Sequence, residues 1–225
     1  MNCELSSLSL KNSFMKKVLL FVVFAVSVLP MAFAQDPVAG IRQRYAAVKA
    51  HIEDMMQEDG WPPSYYEANV VENLPGTGPH KENIKMFYDV DEAKAAEAEE
   101  GEDFDVDLHV HPPVWLHFVM VSYNFAARNF YEEYLLDKNG KPEFIYGLIP
   151  YDDDDMDREF RFYFDDGKLI RCVVKRRATG TEEPFAEEYS GTKLLETYED
   201  YYNGYVSKLP HFLRLFEAVD KVTYY

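Results

Sequence analysis

Cysteine is almost absent from this chain. Its two cysteines, Cys3 and Cys172, exclude a disulfide-stapled scaffold, so folding must rest on a hydrophobic core. Basic residues are scarce as well: 23 Lys+Arg stand against 40 Asp+Glu, a formal charge of −17. That imbalance excludes a nucleic-acid binder, which needs a basic face for phosphates, and it disfavours adhesion to anionic lipid. Long apolar runs are missing too. The run at residues 18–29 has 12 residues, whereas a helix needs about 20 to cross a bilayer. Catalytic signatures are equally thin. Beyond residue 34 the serines are Ser64, Ser122, Ser190 and Ser207, none in a Gly-x-Ser-x-Gly elbow. Gly76-Thr77-Gly78-Pro79 lacks the lysine of a phosphate loop. No positive signal for an enzyme remains.

What is present begins with an export label. Lys16-Lys17 supply a positive start just after Met15, the apolar run follows, and Ala32-Phe33-Ala34 reads as an A-x-A cleavage site. Residues 1–34 are therefore expected to be a signal peptide, with Met15 the better start codon. The mature domain is then 35–225, beginning at Gln35 in the periplasm or outside the cell, with no stable membrane anchor. Losing three lysines and one glutamate with the leader takes the charge of −17 to −19. Two segments hold most of it. Residues 89–107 carry ten acids against Lys94 alone, and read as a solvated, mobile insertion. Residues 152–157 carry five more.

The rest of the chain has clear periods. Asp36-Pro37 suits a helix start. Val38, Ile41, Tyr45, Val48, Ile52 and Met55 follow at spacings of three and four, one apolar stripe. Strands are expected at 84–90, 114–123, 129–136, 142–149, 159–164 and 168–176, with 65–71 extended as a further option. Asp137-Lys138-Asn139-Gly140 and Asp165-Asp166-Gly167 are hairpin turns. Cys172 falls in the apolar alternation of the last strand and is expected to be buried. Thr192 can cap a C-terminal helix that Pro210 should break or kink, with a short final helix after it. The fold class is α+β. It is an antiparallel meander sheet of about five or six strands with an N-terminal helix and C-terminal helices, all on one face of the sheet.

The two hairpins carry a likeness. Tyr131-Glu132-Glu133-Tyr134-Leu135-Leu136-Asp137-Lys138-Asn139-Gly140-Lys141 and Phe160-Arg161-Phe162-Tyr163-Phe164-Asp165-Asp166-Gly167-Lys168 resemble segments of uncharacterised exported proteins of Bacteroidetes-type bacteria. The resemblance covers residues 130–176 and lies in turn chemistry. It implies an exported bacterial protein with a meander sheet and implies no activity.

Three groups of residues could carry function. The tyrosines offer large surfaces with polar tips, and Tyr131, Tyr163, Tyr198 and Tyr202 are the candidate ligand contacts. The alternative use of the same side chains is a tyrosine-rich core. The second group is Asp107, His109, His111 and His117, which could bind a divalent metal, zinc or copper for example, were they to converge. Pro112-Pro113 interrupts that stretch, and the glutamate and glycine spacing of a cupin-like barrel is absent. Surface histidines at the edge of an acidic loop are the alternative. The third is a calcium reading of residues 152–157, where Arg158 stands at the position an EF-hand reserves for glycine. The leading expectation is a non-enzymatic binding module for a small molecule, glycan or protein, with no resident cofactor. A metal-dependent enzyme or metal carrier, and an exported inhibitor or envelope-assembly factor, are the alternatives.

Overall fold

Simple alternation fails in the middle of the chain, and the failure sets the architecture. Met86-Phe87, Phe118-Val119, Tyr134-Leu135, Phe144-Ile145 and Val173-Val174 are consecutive pairs with both members buried. Neighbouring side chains of a strand point to opposite faces, so both faces of the sheet must be covered. The computed structural model, which describes residues 36–56, 63–99, 112–152 and 155–223, has that arrangement. Pro37–Tyr225 forms one compact unit.

Helix α1 (Pro37–Met55) leads into strands β1 (Tyr65–Leu74) and β2 (Gly78–Val90), then the short helix α2 (Glu92–Glu99). Strands β3 (Val114–Phe125), β4 (Arg128–Leu136), β5 (Pro142–Asp152), β6 (Met156–Asp165), β7 (Lys168–Ala178) and β8 (Ala186–Gly191) follow. A 3-10 turn (Glu196–Tyr198) then opens helix α3 (Glu199–Thr223). The eight strands pair in chain order, each antiparallel to the next. The two expected turns are where the pattern put them. Asp137 accepts backbone N–H bonds from Asn139 and Lys141, both at 2.8 Å, and Gly140 takes the positive φ of 74° that the reversal requires.

Five or six strands is an undercount. The six expected strands are β2 to β7, and the sheet gains one more at each edge. An edge strand has one neighbour and little to bury: β1 buries only Tyr66, and no residue of β8 is buried. Their sequences are accordingly polar, which hides them from a search for apolar alternation.

The single-face packing is also corrected. The stripe of α1 lies on Phe87, Phe118, Leu135, Phe144, Tyr163 and Val173. The stripe of α3 lies on the opposite face, on Met86, Val119, Tyr134, Ile145, Phe160, Phe162 and Val174. α3 crosses the whole sheet, from Tyr198 beside Tyr189 of β8 to Phe216 against Tyr66 of β1, with ring centroids 5.8 and 5.5 Å apart. Pro210 neither breaks nor ends it, and there is no separate final helix. A proline inside a helix costs about 3 kcal/mol. Here its ring faces solvent, while buried Tyr205 and Leu209 before it and Phe212 and Phe216 after it hold both halves to the sheet. The α-helix begins at Glu199, after the 3-10 turn, rather than at a Thr192 cap. Part of the acidic stretch 89–107 is ordered as α2. Asp91 caps it through the Lys94 N–H, and Ala93, Ala95, Ala96 and Ala98 are strong helix formers.

Candidate functional site

Register turns the α1 face into a grid. Glu133 of β4 stands opposite Tyr146 of β5, which stands opposite Arg161 of β6, then Val173 of β7 and Ser190 of β8. One row nearer the turns, Leu135, Phe144, Tyr163 and Arg171 form a second line. α1 covers the second line and reaches only the margin of the first. Its Tyr45 ring sits 4.7 Å edge-on to Phe144, and Arg42 lies 5.3 Å above the Tyr163 ring. The margin encloses a cavity of about 130 Å³ lined by Arg42, Tyr45, Phe144, Tyr146, Arg161 and Tyr163.

Charged groups surround this cavity in defined partnerships. Glu133 is 2 % exposed and accepts from Lys49 Nζ at 2.6 Å, from the Tyr131 hydroxyl at 2.5 Å and from the Tyr45 hydroxyl. Glu159 accepts from Arg161 Nη2 at 2.9 Å and from the Tyr146 hydroxyl at 3.2 Å. Arg42 Nε donates to the Tyr163 hydroxyl at 3.2 Å, and Arg171 Nη2 to Ser190 Oγ at 2.7 Å. Burial, then the bond to Glu133, pushes the Tyr45 and Tyr131 phenols well above their ordinary range. Tyr146 moves the same way through burial and the Glu159 charge. These hydroxyls are thus held as donors. Burial opposes the Arg161 cation, but Glu159 outweighs it and holds the guanidinium above its ordinary value.

On the other face Glu132, also 2 % exposed, has a matching set of partners. Lys208 Nζ and the Tyr134 hydroxyl lie at 2.5 Å and the Tyr123 hydroxyl at 3.0 Å. That network lies beneath α3 among Tyr134, Tyr205 and Phe212 and ties helix to sheet, with only Tyr123 at its edge reaching an open groove. A larger open groove of about 680 Å³ runs along the hairpin ends of β1 to β4. Its amides are turned on the protein itself: Asn83 donates to Asn69 and Glu67, and Asn124 to the Pro79 and Ala126 carbonyls. The smaller cavity, walled by guanidinium groups and aromatic rings, is the better candidate.

The four candidate tyrosines do not converge. Tyr163 lines the cavity, and Tyr131 lies beside it, its ring 6.3 Å from that of Tyr146. Tyr198 and Tyr202 are on the opposite face, against Phe160 and Phe162 respectively. Of the metal candidates, Asp107, His109 and His111 lie outside the described residues. His117 is on β3, 3.8 Å from Asp89. Burial holds its imidazole below the ordinary value, against the pull of the Asp89 charge, and His51 lowers it further. Among the described residues no three His, Cys, Asp or Glu side chains are grouped to hold a metal ion. Within 152–157, Asp157 is buried and already taken by the Thr179 hydroxyl at 2.9 Å and Arg177 Nε at 3.2 Å.

Arg42, Tyr45, Phe144, Tyr146 and Arg161 are the lining residues that the sequence alone does not single out. Arg161 sits between Phe160 and Phe162, which reads as the solvent side of a half-buried strand. The one available signal was Glu132-Glu133: two acids in succession inside an apolar strand, each needing a cation. No protein-family model matches the chain, and no match is found among the curated proteins or the solved structures.

Proposed function

We propose that the protein is an exported, non-enzymatic binding module whose ligand occupies the arginine- and tyrosine-lined cavity beneath α1. The observation that carries this reading is the margin that α1 leaves on the sheet. Polar and aromatic side chains there converge on a partly enclosed space, while the row beneath α3 is filled by apolar side chains. Ligand sites are concave, largely aromatic and furnished with a few placed polar groups, and this cavity has that make-up. The proposed location outside the cytoplasm rests on the leader-like residues 16–34.

Backbone amide chemical shifts of the purified protein, recorded against a library of sugars, organic acids and short peptides, test the reading. A ligand should move the resonances of Tyr146, Arg161 and Tyr163 and leave those of Tyr205 and Phe212 in place. A library that moves none of the cavity resonances at millimolar concentration counts against a binding role for this face. Sequencing the N-terminus of the exported chain checks the compartment, with Gln35 as the expected first residue.

A further inference from the structure

We infer that the cavity beneath α1 is an oxyanion site, taking the carboxylate or phosphate of a small molecule. This rests on the binding reading above and names its ligand chemistry.

Two guanidinium groups, those of Arg42 and Arg161, line the cavity with Tyr163, and a third belongs to Arg171 on the neighbouring strand, outside the lining. Arg42 lies over the Tyr163 ring from the helix, Arg161 is two residues from Tyr163 on the same face of β6, and Arg171 stands directly opposite Tyr163 on β7. Their charges are not balanced locally. Arg161 has Glu159, but Arg42 and Arg171 hydrogen-bond only to hydroxyls, those of Tyr163 and Ser190. Glu133, the other acid bordering the cavity, is matched by Lys49. The cavity lining therefore carries one unbalanced positive charge, Arg42, and Arg171 adds a second beside it, in a chain with 40 Asp+Glu and a formal charge of −17. Acids are abundant in this sequence, yet none of the described ones is set against Arg42 or Arg171.

Donor capacity points the same way. A guanidinium has five N–H donors and no acceptor, in a fork that fits a carboxylate or phosphate. Arg161 and Arg171 each use one Nη within the protein, and the Nε of each is buried without a partner. Arg42 and Arg161 thus keep N–H donors for an anion in the cavity, and hydrogen bonds from a guanidinium to such an anion are the strong, charge-assisted kind. Size fits as well. About 130 Å³ is ample for an oxyanion head. The remainder of the ligand would lie outward, across Tyr146 and Tyr131.

Isothermal titration of the purified protein with inorganic phosphate, glucuronate and glucose decides this. Phosphate and glucuronate represent the two sources of an oxyanion, and glucose is the neutral match of the second. The expected result is binding of at least one anion, weakened by added salt, with none for glucose. Arg42→Gln, which removes a lining guanidinium, should lower that affinity roughly tenfold or more, as for loss of a charge-assisted hydrogen bond, and Arg171→Gln, beside the lining, should lower it by less. Arg44→Gln, whose partner Glu143 is not among the cavity-lining residues, should leave it unchanged. Binding of phosphate alone would assign a phosphoryl ligand, and of glucuronate alone a carboxylate. Anion affinity insensitive to both Arg42 and Arg171 overturns the inference. So does a neutral ligand that moves the Tyr146 and Tyr163 resonances while neither anion binds, although the binding reading itself would then survive. Silence from the anions and from the whole library removes both.

Discussion

Glu132 and Glu133 follow one another on β4 and serve opposite faces of one sheet. Each collects a lysine and two tyrosine hydroxyls, so the local chemistry is the same. Their rows are not. Across the sheet from Glu132 come Gly147, Phe160, Val174 and Tyr189; from Glu133 come Tyr146, Arg161, Val173 and Ser190. The first row lies under α3, a 25-residue helix that spans every strand, and its glycine leaves room for the Tyr205 ring. The second lies at the margin of α1, which has 19 residues. A helix that reaches across the whole sheet demands apolar partners and closes the face. A shorter one leaves a border where arginine and tyrosine are tolerated, because their tips reach water while their stems cover the sheet. On the proposed reading, stability and binding fall on different faces.

If that division is right, neighbouring substitutions on β6 should differ most. Phe160→Ala removes a fully buried ring that packs on Tyr198, Tyr201 and Tyr205, and should cost about 3–5 kcal/mol in denaturant unfolding. Arg161→Ala, one residue on, should cost about 1 kcal/mol. Equal losses would erase the distinction between the faces.

The two glutamates give the next contrast. Breaking a buried ion pair from one side typically costs about 3–5 kcal/mol. Glu132→Ala should fall in that range, since Tyr134 is fully buried and cannot be rehydrated. Glu133→Ala should cost less, because water entering the neighbouring cavity can reach Lys49 and Tyr131. Unfolding curves in which Glu133→Ala is the worse of the two would reverse the assignment of the dry face.

Gly147→Ala sharpens the same comparison at a single atom. An added Cβ would stand 2.2 Å from the Tyr205 hydroxyl and 2.3 Å from its ring, too close to coexist without displacing α3. A loss of about 1–3 kcal/mol is expected. It should shrink when Tyr205 is already alanine, which a double-mutant cycle measures.

Titration reads both faces at once and should have the smallest effect near neutrality. Tyr45 and Tyr131 on one face, and Tyr123 and Tyr134 on the other, are raised by burial and by their glutamates above the ordinary value of 10.0. An acid whose pKa is higher folded than unfolded contributes stability in full below the unfolded value, and that contribution is lost as pH rises beyond it. Unfolding free energy should thus be flat from these groups up to about pH 10 and fall above it. Tyrosinate absorbance should show these phenols ionising only with unfolding. Burial also pushes the Cys172 thiol up to about 11, so a thiol reagent at pH 8 should label it only in denaturant. Rapid labelling of the native protein would mean that the α3 face opens.

Much of the meander was legible because hairpins announce themselves locally. Asp137 to Gly140 and Asp165 to Gly167 are turn chemistry, and the arms that flank them are rich in apolar and aromatic side chains. The stripe of α1 and the buried Cys172 were readable for the same reason. β1 and β8 were not, since an edge strand keeps half of its backbone unpaired and few of its side chains buried. The cavity was read only in fragments. Tyr131 and Tyr163 were visible as tyrosines, but so were Tyr198 and Tyr202, and side-chain type does not say which face a residue joins.

Sequence alone therefore determined what depends on neighbours along the chain: the turns, the periods and the acidity of two segments. Only the tertiary structure decided what depends on register and coverage. It set Glu133, Tyr146 and Arg161 in one row, put the two helices on opposite faces and left a margin beside the shorter one. The physical reason is range. Turns and periodicity are fixed by interactions over a few residues. The meeting of Arg42 with Tyr163, 121 residues apart, exists only once the strands have paired and the helix has docked.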